Sequence, residues 1–109
     1  MKKYSTTPFS NHDQGSIFYW LTSSSIEETR HYAPQASNET LFRALKREKR
    51  AGAIAAIKRE LFARLERGDS VKSGAHIYRV EWKTQNDKYV KLDKIAGRWS
   101  WKDFDFIED

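Results

Sequence analysis

The chain contains no cysteine. Disulfides and thiolate metal sites are excluded, and a reducing, cytoplasmic setting is expected. Long apolar runs are also missing. The longest, IFYWL at 17–21, has the length of a strand and not of a membrane span, so no membrane partner is expected. The opening MKKYSTTPFSNHDQG is polar and turn-rich and lacks the apolar stretch of a secretory leader, so none is expected. Glycine occurs five times, scattered as turn residues, and builds no phosphate-cradling loop. His12, His31 and His76 stand far apart without a ligand partner at helical spacing, so no metal and no cofactor is expected. Ser23-Ser24-Ser25 lacks the G-x-S-x-G frame of a hydrolase nucleophile and reads as a polar loop.

What the chain does have is aromatic mass and positive charge. Of its 109 residues 39% are hydrophobic and 14% aromatic, more than disordered segments carry. A chain of this length is expected to form one folded domain, 1–109, with one modest core. The formal net charge is +5, which favours nucleic acid or an acidic protein surface as partner. The charge is polarised. Residues 43–67 hold nine Lys or Arg against Glu48, Glu60 and Glu66, whereas Asp103, Asp105, Glu108 and Asp109 close the chain without a base.

Patterning predicts the elements. Residues 17–22 are short, apolar and aromatic and read as a buried strand. Ser25-Ile26-Glu27-Glu28 fits a capping box, so a short helix follows and stops near Ala33, ahead of Pro34. Ser37 or Asn38 caps the next helix, with Leu41 and Leu45 on its apolar side. After Gly52 a new apolar stripe, Ile54, Ile57, Leu61, Phe62 and Leu65, points the way the earlier cations pointed. One straight helix would then change its buried side halfway. A break near Ala51-Gly52 is predicted, with Gly68 as the cap of the second half.

The remainder alternates. Residues 76–84 place Tyr78, Val80 and Trp82 on one side, and residues 89–95 return with Val90 and Leu92 inward. Trp99 and Trp101 share a parity that Phe104 and Phe106 break, which predicts a bulge or strand end near Lys102-Asp103. The expected fold is α+β: an N-terminal strand, a short helix, two basic helices and a C-terminal three-stranded antiparallel meander.

The candidate binding residues are Arg43, Lys46, Arg47 and Arg50, which recur at i, i+3, i+4 and i+7. A helix carrying them along a duplex would neutralise phosphates and release counterions. The plainer reading is a solvated helix face. Lys58, Arg59, Arg64, Arg67 and Lys72 extend the cations beyond one wet face. Two helices, a Gly-containing turn and a hairpin are similar to a winged helix-turn-helix. In that arrangement residues 54–67 would be the recognition helix, with Lys58, Arg59 and Arg64 facing DNA, and residues 83–88 the wing tip. Trp99 and Trp101, beside Arg98 and Lys102, fit either base stacking, a partner interface or the core, which should claim at least one of them.

Asp69 with Glu81-Trp82-Lys83 resembles the Asp…Glu-x-Lys pattern of restriction-endonuclease-like nucleases. There the acids hold Mg²⁺ and the lysine orients water. The chain departs from that pattern, since strand signals rather than helix signals follow Lys83, and a charged outer hairpin face explains the same residues.

The expected function is a non-catalytic nucleic-acid-binding module, for duplex DNA, gripping the backbone through the basic helices. The alternative is a small accessory or inhibitor protein of the phage or mobile-element type, meeting an acidic face of a nucleic-acid enzyme with the same helix. A metal-dependent nuclease is the third reading.

Overall fold

A computed structural model describes residues 13–23 and 25–108. Within these the elements are helices α1 (Gln14–Ser23), α2 (Ile26–Tyr32), α3 (Asn38–Arg47) and α4 (Ala51–Ala63), then strands β1 (Ser70–Ser73), β2 (His76–Lys83), β3 (Val90–Leu92) and β4 (Asp105–Phe106). The class is α+β, as the sequence predicts. The chain falls into two compact units, a helical one ending at Leu61 and a β one beginning at Phe62. The polar opening stretch, with Pro8, Asn11 and His12, lies outside the described residues.

The predicted N-terminal strand is instead α1. A strand would put Ile17, Tyr19 and Leu21 on one face. Ile17 and Leu21 are fully buried while Tyr19 is 63% exposed, which is helical spacing. Asp13 starts the helix: Ile17 N–H donates to its carbonyl at 3.1 Å and Ser16 N–H to its carboxylate at 2.9 Å. The Ser16 donors also hold the Asp13 carboxyl below its ordinary value. A five-residue apolar run has no period that separates strand from helix, and the Asp cap decides.

The capping box is present as predicted. Ser25 Oγ accepts the Glu28 N–H at 3.2 Å, and α2 ends where a 3-10 turn takes the chain through Pro34. Thr29, fully buried, donates its hydroxyl to the Leu21 carbonyl at 3.2 Å and so ties α2 to the end of α1. The rings of Trp20 and Tyr32 lie 4.6 Å apart. Ser37 caps α3 by accepting the Thr40 N–H at 3.1 Å, and Gln14 fixes that cap by accepting the Ser37 N–H at 2.8 Å.

The predicted helix break is real, but its cause is not Gly52. α3 stops at Arg47 and α4 starts at Ala51. Between them the buried Glu48 carboxylate accepts the N–H groups of Lys49 at 3.1 Å and Arg50 at 3.0 Å. Gly52 lies inside the first turn of α4, where a Cβ would meet the Ile26 side chain at 3.3 Å. Glycine there serves close approach. Nor is Gly68 the cap of α4, which ends at Ala63. Gly68 (φ +94°) belongs to the following turn and donates its N–H to the Val80 carbonyl at 2.8 Å.

The sheet is antiparallel and has four strands in the order β3-β2-β1-β4, rather than the predicted three. The missed strand is β1, four residues of which Val71 alone is fully buried. Val71 pairs with Tyr78 on β2 and Phe106 on β4. Val80, Val90 and Leu92 are buried, as are Phe62, Phe104 and Phe106, with the Phe62 and Phe104 rings stacked at 6.1 Å and Phe104 edge-on to Phe106 at 5.4 Å. The predicted break in parity near Lys102-Asp103 is a turn in which Ser100 N–H donates to Asp103 Oδ2 at 2.7 Å. It transfers the inward role to the phenylalanines, so Trp99 and Trp101 are both half-buried and neither fills the core.

Candidate nucleic-acid interface

The basic helix α3 forms from its own sequence. Ser37 caps it, Glu39 sits in its first turn, and Lys46 and Arg47 lie in its last, each sign at the favourable end of the helix dipole. Its buried side carries Thr40, Leu41, Phe42 and Ala44. The opposite side presents Arg43, Lys46 and Arg47, all exposed. The acid on that helix is Glu39, and Arg43 Nη2 lies 3.9 Å from it with both side chains largely in water, 64% and 79% exposed. Such a pair is worth a few tenths of a kcal/mol and leaves Arg43 available to a stronger anion.

Arg50, the fourth residue of the predicted stripe, is elsewhere. Because α3 has ended, Arg50 lies in the linker and its guanidinium clamps Glu48, with Nε at 2.9 Å from Oε1 and Nη2 at 3.0 Å from Oε2. The same Nη2 donates to the Leu21 carbonyl at 3.2 Å. The Arg50 hydrogen bonds hold the Glu48 carboxyl at about 2 against an ordinary 4.5, overcoming the opposing effect of burial, with the Lys49 N–H adding to them. Arg50 is raised in turn by its bond to Glu48. This residue is a fastener of the α1 end to the α3–α4 turn.

Of the cations predicted on the next helix, Arg59 is exposed and Lys58 half-buried. Arg64 is 3% exposed, which removes it from any surface grip. The helix ends one residue earlier, and Arg64 enters a turn flanked by buried Phe62 and Leu65. The recognition helix expected over residues 54–67 therefore ends short of both Arg64 and Arg67.

Beside α3 the helical unit has an open hollow of about 420 Å³, lined by Phe18, Tyr19, Thr22 and Ser23 from α1 and by Arg47 and Glu48. It joins an exposed aromatic ring to a cation of the stripe. Sequence patterning does not single out Tyr19, because a buried strand over residues 17–22 would hide it. The asparagine-like start signal at Asp13, with Ser16 three residues on, was the available clue.

The nuclease-like residues have structural tasks. Asp69 is buried, and its carboxylate accepts the Glu66 N–H at 2.7 Å. Glu81 lies 3.7 Å from Lys91, and Lys83 Nζ donates to the Ala63 carbonyl at 2.7 Å and pairs with Asp87 at 2.9 Å. Among the described residues no three His, Asp or Glu gather as a metal site, and no helix is long and apolar enough to cross a membrane.

No family model, no curated protein and no solved structure matches this chain.

Proposed function

We propose that the helical unit is a non-catalytic nucleic-acid-binding element, with duplex DNA as its ligand and the cytoplasm as its setting. The observation that carries this reading is the exposed basic side of α3, where Arg43, Lys46 and Arg47 share one face of a capped helix whose other side is buried. A helix anchored in this way offers its cations without ordering cost to the backbone. Phosphate contact through them gives affinity that is independent of sequence and steep in salt. Arg59 adds to the positive field of the unit.

The test is a salt titration of duplex binding with the wild type and with Arg43→Glu, Lys46→Glu and Arg47→Glu combined. The expected result is a log–log slope lower by about 3, close to one for each lost phosphate contact. Absence of binding at low salt, or binding that survives the triple reversal, overturns the reading.

The hollow beside Arg47 supports a second reading. It gives an apolar side chain a seat next to a cation, which suits an acidic protein surface with one protruding hydrophobic residue. That is the accessory or inhibitor role. A complex retrieved from extract that persists after nuclease treatment and is lost in Tyr19→Ala supports it, and one that disappears with nuclease supports the DNA reading.

A further inference from the structure

The outer face of the β unit carries a different surface. On β2, Val80 and Trp82 have the same parity and a regular strand would bury both. Val80 is 2% exposed and Trp82 46%. The register shift between them is the reason: Val80 pairs with Leu92, but Trp82 pairs with Lys91 and Lys83 with buried Val90. The bulge turns the tryptophan outward, onto the face of Ile77 and Arg79. Ile77, paired with Lys72, is 57% exposed. The bulge thus leaves two large apolar side chains, Trp82 and Ile77, exposed on one face of β2, to either side of Arg79.

The charges on this face indicate what it contacts. The chain is strongly basic, yet here the signs balance. An open groove of about 560 Å³ is lined by Arg67, Gly68, Arg79, Val80, Glu81, Trp82 and Asp93. Arg67 and Arg79 share its lining with Glu81 and Asp93, and in the strand register Lys72 stands opposite Asp105. Carboxylates beside the aromatic repel a phosphate backbone, which argues against nucleic acid here. A patch with an apolar row and both signs in alternation is complementary to itself, the requirement of an isologous two-fold interface.

We propose that this face joins two copies of the chain, with Trp82 and Ile77 as the apolar anchors. A two-fold axis between Arg79 and Glu81 sets Arg79 of each copy opposite Glu81 of the other. The Arg79 N–H already holds Asp93 Oδ1 at 2.8 Å, which keeps that carboxylate at the rim. Dimerisation does not depend on the DNA reading, since α3 belongs to the helical unit.

The experiment is sedimentation equilibrium of the full chain over a wide concentration range, without nucleic acid. The wild type is expected to show a monomer–dimer equilibrium. Trp82→Ala raises the dimer dissociation constant about 30-fold, the effect of losing a hot-spot residue. Arg79→Glu and Glu81→Arg each yield monomer, and the two together restore the dimer, because reversing both signs keeps the pairing. At concentrations below the dimer dissociation constant, unfolding curves of these exposed-face variants match the wild type, which separates association from folding. A wild type that stays monomeric at its highest soluble concentration overturns the proposal. So does a dimer indifferent to Trp82→Ala, or a double variant that remains monomeric. Single-stranded DNA that quenches the tryptophan fluorescence of a monomeric wild type but not of Trp82→Ala overturns it in favour of a nucleic-acid face.

Discussion

The exposed sides of α3 and β2 are both rich in Arg and Lys, and they differ in how acids are arranged around them. On α3 the exposed cations Arg43, Lys46 and Arg47 share a helix with a single acid, Glu39, in its first turn and 3.9 Å from Arg43. On and beside β2 cations and acids are interspersed: Lys91 lies 3.7 Å from Glu81, Lys83 pairs with Asp87 at 2.9 Å, and the Asp93 carboxylate accepts the Arg79 backbone N–H. A face on which cations predominate fits the proposed polyanion, and a face that mixes both signs fits the proposed protein contact. Net charge alone assigns both to nucleic acid. Position relative to acids and to the core separates them.

A comparable contrast holds inside the helical unit, between cations that face water and the one that fastens the fold, and this can be broken experimentally. The largest effect is expected for Glu48→Ala. It removes the acceptor of two linker N–H groups and of the Arg50 guanidinium, which is partly in water and keeps the Leu21 carbonyl, and should lower unfolding free energy by about 2–3 kcal/mol in a denaturant titration. The same carboxylate gives a pH signature. Its value in the folded chain is about 2 and its ordinary value 4.5, so its contribution is complete above 4.5 and is lost as pH falls toward 2. Melting temperature followed across that window should drop in the wild type, with the drop reduced in Glu48→Gln.

Asp69→Ala tests the β unit in the same terms. It removes the buried acceptor of the Glu66 N–H and should cost about 1–3 kcal/mol, while a catalytic carboxylate replaced by alanine leaves stability level or raises it. Ser37→Ala removes the α3 cap and should cost about 1 kcal/mol by thermal melting. The smallest effect is expected for Glu39→Gln. Stability moves by a few tenths of a kcal/mol, yet duplex affinity at low salt rises, because the acid nearest Arg43 is gone. Unchanged affinity there would detach Arg43 from the proposed interface.

The sequence made the local signals legible and hid the long-range ones. The helix caps follow from side chains within three residues of the groups they satisfy: Ser25 caps α2 as read, and of the two candidates Ser37 and Asn38 it is Ser37 that caps α3. The α3–α4 break was visible because the apolar stripe changes side, although the agent is a Glu and an Arg two residues apart whose partner, the Leu21 carbonyl, is 29 residues away. No spacing rule announces that. Sequence alone places Arg64 on a surface because arginine is usually found there, and burial of its long side chain depends on where α4 stops. β1 was missed because four residues with one buried valine carry no periodicity. Trp82 was placed with Val80 because a bulge is a property of two strands, and one strand cannot reveal it.

The Glu48 fastening has a consequence in time as well as in energy. Residues 47–50 read Arg-Glu-Lys-Arg, the densest run of trypsin-cleavable bonds in the helical unit. A protease must draw an extended segment into its cleft, and here the backbone N–H groups of Lys49 and Arg50 are both held by a buried carboxylate. The segment richest in trypsin sites is therefore expected to resist cutting for as long as the Glu48 fastening holds, with the Lys49 and Arg50 amide protons protected from exchange.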